Sequence, residues 1–106
     1  MGLDFVLKYD GERVFDSGIT HNLNRMAMAA GLYHALWRPD ELRIRKAKYL
    51  IPLLEQGLEN LKRDPGYFSK FNPENGWGNY QQLVDFTTKC MVKCMEYPDA
   101  KVKAWR

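Results

Sequence analysis

The sequence predicts an α+β fold, mainly helical, with about three helices packed against an N-terminal β-hairpin. Two kinds of spacing predict it. Residues 3–9, "LDFVLKY", place Leu3, Phe5, Leu7 and Tyr9 at every second position, the period of a half-buried strand. Asp10-Gly11 is a tight-turn signal, and 14–19, "VFDSGI", returns as a second strand. Three later segments instead repeat apolar residues every three or four positions, the period of a helix buried on one side. Two strands alone are marginal in water, so the hairpin needs the helices to cover it.

The first helix carries Leu23, Met26, Ala27, Ala30, Tyr33 and Leu36 or Trp37 on one stripe. Thr20 or Asn22 supplies an N-cap oxygen, and Pro39 stops the helix near Leu36 or Trp37. Gly31 inside it costs about 1 kcal/mol relative to Ala and marks a close backbone approach. A second helix is expected over 40–63, with Ala47, Leu50, Ile51, Leu54, Leu58 and Leu61 inward and Gly57 on the same side. Pro52 removes one backbone hydrogen bond and so kinks or restarts it. Asp64-Pro65-Gly66 ends the segment. The connection over 64–79 is too aromatic for a disordered linker and calls for a function or a short helix of its own. The third helix, 79–96, aligns Leu83, Phe86, Thr87, Cys90, Met91 and Cys94, and Tyr97-Pro98-Asp99 stops it. The closing "AKVKAWR" alternates and is able to add a third strand.

The 106 residues suit one domain with a modest core, since 45% are apolar. Sixteen basic against thirteen acidic residues, net +3, fall short of a dedicated nucleic-acid binder, so no long nucleic acid is expected as partner. "RIRKAK", 43–48, reads as a solvated helix face. A small anionic ligand suits this balance better. No apolar run approaches the ~18 residues of a membrane span, and Asp4 breaks the first one early, so neither a membrane partner nor a signal peptide is expected. Val6 stands where N-myristoylation wants Ser or Thr. Two cysteines without a secretory signal point to a reducing cytoplasm. Cys90 and Cys94 share a helix face at a spacing that matches no zinc pattern, so they are expected in the core, with no metal and no cofactor.

Six residues stand out as ligand contacts. Trp37, Trp77 and Tyr80 offer planar faces for stacking, and Arg38 can fork two hydrogen bonds to a phosphate. Gly76 and Gly78 free the backbone around Trp77. His21 and Asn22 sit at a helix start, where partial positive charge welcomes an anion. A helix of ~15 residues spans about 22 Å, however, so His21 and Arg38 would lie too far apart for one nucleotide. Walker, GxSxG and HExxH motifs are absent from the sequence.

"ITHNLNRMAMAAGLYHALWRP", "LIPLLEQGLENLKRDP", "NPENGWGNY" and "YPDAKV" resemble, in order and spacing, a family of small proteins of unknown function from bacteriophage and prophage genomes. The resemblance runs through nearly the whole chain. It implies a single-domain accessory protein of the host-cell cytoplasm and singles out 20–24, Trp37-Arg38-Pro39, and Gly76-Trp77-Gly78 with Tyr80. Phage accessory proteins of this size commonly work by binding. The leading expectation is sequestration of a small anionic, nucleotide-like immune signal. A protein–protein interaction module that inhibits a host enzyme through the same aromatic and arginine patch is the alternative. A small phosphodiesterase using His21 as general acid or base is the third reading. A homodimer would double the surface gripping a ligand.

Overall fold

A computed structural model of the chain describes residues 2–106. Strand β1 (Gly2–Tyr9) turns into β2 (Glu12–Thr20) through Asp10 and Gly11, both at positive φ (53° and 77°). Two left-handed central residues make the turn whose twist matches that of paired strands. Strand β3 (Lys101–Trp105) pairs antiparallel with the other side of β1, giving the order β2-β1-β3. Leu3, Phe5 and Leu7 are fully buried on one face, beside Ile19, Ser17 and Phe15 of β2 and Ala104 and Val102 of β3. On the other face Val6 is buried too, at 1% exposed, and charged residues surround it. The rows of this face across the sheet are Arg13–Lys8–Lys101, Asp16–Val6–Lys103 and Gly18–Asp4–Trp105.

The helices cover the apolar face. They are α1 (Asn24–Ala29), α2 (Tyr33–Trp37), α3 (Ile51–Arg63), α4 (Pro65–Ser69) and α5 (Tyr80–Glu96). The expected third helix is α5. Asn79 caps it and Gln82 bonds back to the Asn79 N–H, a capping box. The short helix sought in 64–79 is α4, with Asp64 accepting from the Tyr67 N–H at 3.1 Å.

Two expected helices are broken. The stripe from Leu23 to Trp37 is interrupted at Gly31, whose φ is +79°. The Gly31 N–H bonds Met28 O and the Leu32 N–H bonds Ala27 O, the Schellman pairing that ends a helix on a glycine. The segment 40–63 is not one helix either. A 3-10 turn over Pro39–Leu42 ends on Arg43 at φ 58°, and the chain then runs extended. There the Val102 N–H bonds Arg45 O at 2.9 Å and Lys46 bridges Lys101. "RIRKAK" is therefore a strip beside β3, not a helix face. Pro52 falls in the first turn of α3, where its missing N–H costs nothing. Gly57 faces Leu32 so closely that a Cβ there would overlap the leucine side chain. One contiguous core joins sheet and helices and takes in Cys90 and Cys94, both free. Among the described residues no helix is long and apolar enough to cross a membrane.

Candidate ligand-binding site

The break at Gly31 decides where the sequence-predicted site residues go. Thr20 Oγ1 accepts from the Asn22 N–H and starts a 3-10 turn over His21–Leu23 that runs into α1. The chain then reverses at 30–32, and α2 comes back toward its own beginning. His21 and Trp37 therefore meet: the Trp37 indole N–H donates to His21 Nδ1 at 2.9 Å. The 22 Å separation expected from a single helix does not arise.

Trp37 is 2% exposed and stacks on Tyr33, with ring planes 13° apart and centroids at 5.8 Å. Arg38 Nε donates to the Tyr33 hydroxyl at 2.8 Å, and Arg38 Nη1 donates to Glu41 at 2.8 Å. The histidine, two aromatics and arginine thus form a ladder whose polar groups satisfy one another. His21 Nδ1 is engaged as an acceptor, so the neutral ring carries its proton on Nε2 and keeps no free lone pair to act as base.

Trp77 and Asn22 come together elsewhere. Asn75 accepts from the Trp77 N–H at 3.0 Å, and Asn22 Nδ2 donates to Trp77 O at 3.4 Å. Gly78, at φ 110°, presses against Leu23 and Thr20, where a Cβ would lie 3.0 Å from both side chains. The Trp77 side chain is left 70% exposed. It overhangs a cleft of about 590 Å³ between the outer edge of β2 (18–20) and α5, with Gln82, Asp85 and Lys89 on the helix side. Charge there is balanced. Tyr80 faces away: its hydroxyl donates to Leu61 O at 2.7 Å, pinning α5 to α3, and burial raises its pKa.

A second groove, about 890 Å³, runs along the outer edge of β3 against the strip over 39–45. Arg43, Arg45, Lys101, Lys103 and Arg106 line it, with Trp105 55% exposed at one end. The one acidic side chain in its lining, Asp40, accepts from Arg106 at 2.9 Å, and that hydrogen bond holds its pKa below the usual carboxylate value. Arg106 also donates to Trp37 O at 3.0 Å, so the aromatic ladder forms the footing of this groove. The Val102 N–H points outward to Arg45, and strand alternation turns the Ala104 N–H outward as well, into the groove.

None of these lining residues was among the six. "RIRKAK" and "KVKAWR" were each visible as basic segments. Their pairing across more than fifty residues of chain was not. Among the described residues no three His, Cys, Asp or Glu side chains gather as a metal site requires. No protein-family model, no curated protein and no solved structure matches the chain.

Proposed function

We propose that the protein binds a small phosphate-bearing, nucleotide-like ligand in the β3 groove and acts by holding it, not by converting it. One observation carries this reading. Five basic side chains converge on one groove whose single acidic side chain is already taken by Arg106. Arginine forks suit phosphate oxygens, a free backbone N–H adds a donor, and Trp105 offers a face for a base. Of the six residues singled out in the sequence, Trp37 supports this site from below through its carbonyl, and Arg38 is held by Tyr33 and Glu41. The resemblance to phage and prophage proteins supplies a setting: an accessory protein that withdraws a nucleotide signal from its host.

A second reading rests on Trp77. An exposed tryptophan on a glycine-flanked loop, beside a strand edge that no other strand covers, fits the anchor of a protein interface. That partner would be a host protein, and the interface would not require the β3 groove.

Thermal melts with AMP, ADP, ATP and pyrophosphate separate the two. A nucleotide at 100-fold its Kd is expected to stabilise the fold by about 2.7 kcal/mol. The double variant Arg45→Glu, Lys103→Glu should weaken that ligand at least tenfold, and Trp77→Ala should leave it within twofold. Absence of any shift with all four compounds would remove the ligand reading and leave the Trp77 interface.

A further inference from the structure

The groove does not stop at β3. Lys101 is paired in register with Lys8 of β1, and Lys8 with Arg13 of β2, while Lys46 bridges Lys101 from the other side. Four cations therefore stand in one row across about 14 Å of sheet, at ~4.8 Å per strand. Like charges directly opposite one another destabilise a sheet. The ends of the row have local counter-charges: Asp16 lies 2.8 Å from Arg13, and Asp99 lies 3.9 Å from Lys46. The middle has none. Among the described residues, Lys8, Lys101 and Lys103 have no carboxylate within 4.0 Å.

The other end of this face is different. Asp4 is paired with Trp105, so a free carboxylate stands next to the exposed indole. A phosphate is repelled there. A base, which stacks on an indole and brings N–H donors for a carboxylate, is not.

We infer that this surface takes a short single-stranded oligonucleotide, of about four nucleotides. Its backbone crosses from the β3 groove over Lys103, Lys101 and Lys8, and one base stacks on Trp105 beside Asp4. A cationic track combined with an aromatic platform is how single strands are held without base-pair readout, and about four nucleotides is the short end of such sites. The inference rests on the groove reading above and extends it from a single nucleotide to a chain. The mild net charge of the whole molecule does not oppose it, because the excess is concentrated on this face.

Fluorescence anisotropy with labelled dT4 and rU4, competed by TMP, UMP and tripolyphosphate, tests it. The tetranucleotides should bind at least thirtyfold more tightly than the mononucleotides, with a salt slope of about −2, as three neutralised phosphates on a single strand give. Lys8 lies outside the groove lining, so Lys8→Glu should weaken the tetranucleotide at least fivefold and the mononucleotide less than twofold. Trp105→Ala should weaken both. Equal affinity for tetranucleotide and mononucleotide, or no effect of Lys8→Glu on the tetranucleotide, overturns the extension while leaving the groove reading intact. Tripolyphosphate competing as well as dT4 overturns the oligonucleotide class in favour of plain anion exchange. If neither nucleotide nor tetranucleotide binds, both readings fall.

Discussion

The two edges of the sheet are finished in opposite ways. Beside β2, the loop carrying Trp77 is held by two asparagines and fitted by glycines, and the cleft beneath it balances Lys89 against Asp85. Beside β3, the extended strip over 44–46 adds basic side chains to a strand that is itself basic, and the one acidic side chain lining the groove is neutralised by Arg106. Each edge shows one exposed tryptophan, yet the two face different chemistries. A net charge of +3 averages over both edges and describes neither. What decides a binding surface is which segments the topology makes neighbours.

The largest effect expected from testing this contrast comes from the third tryptophan. Trp37 lies under the β3 side, closes on His21 and offers its carbonyl to Arg106. Trp37→Ala should cost about 3–5 kcal/mol in denaturant unfolding, through the lost burial and a stranded His21. Trp77→Ala and Trp105→Ala should each stay within about 0.5 kcal/mol. Equal losses at all three positions would mean that the exposed rings serve the fold, and the contrast between edges would lose its functional meaning.

A smaller effect should appear at alkaline pH, in the element both sides share. Helix α5 borders the β2 cleft at its start and reaches the core with Cys90 and Cys94 further along. Burial pushes the Cys94 thiol from 9.0 up to about 12 and raises Cys90 well above its ordinary value. The folded state thus binds these protons more tightly than the unfolded chain does. The stability they contribute is complete below about pH 9 and is lost as pH rises toward 12. Chemical denaturation from pH 8 to 11 should show a fall that is shallower in Cys94→Ala, and native thiols should react slowly with alkylating reagents. Fast labelling in the native state would show that α5 opens locally, uncoupling the two sides.

The smallest effect belongs to Asp40. Asp40→Asn releases Arg106 from its partner and removes the only acidic side chain lining the groove. Pyrophosphate should bind a few-fold more tightly, with no change at the Trp77 cleft. A loss of affinity would mean that Asp40 holds Arg106 in its binding position.

Much of this architecture was legible in the sequence, because its signals are local. The hairpin follows from strict alternation and Asp10-Gly11, α5 from one apolar stripe between Asn79 and Pro98, and β3 from the alternation in "KVKAWR". The break in the first helix was not read, since Ala30 and Tyr33 continue the three-and-four spacing across it. Only the positive φ at Gly31 divides the stripe, and a sequence does not show whether a glycine in such a stripe is tolerated or ends the helix. The same break explains why His21 and Trp37 were assigned to opposite ends of a helix although they touch. The β3 groove was hidden for a different reason. It is made by pairing 45–46 with 101–102, and no local pattern in either segment announces the other.

The row Lys46–Lys101–Lys8–Arg13 carries a consequence for how this protein can evolve. Unscreened lysines stacked side by side lower the thermal stability of the empty protein, and neutral side chains at Lys8 or Lys101 would raise it. A lineage selected only for a sturdier fold would therefore shed these charges first. A lineage that depends on the occupant of this face would keep them and tolerate a lower melting temperature. Lys8 and Lys101 are thus the positions where thermostability and purpose pull apart, and swapping them for threonine asks which of the two this chain was shaped to serve.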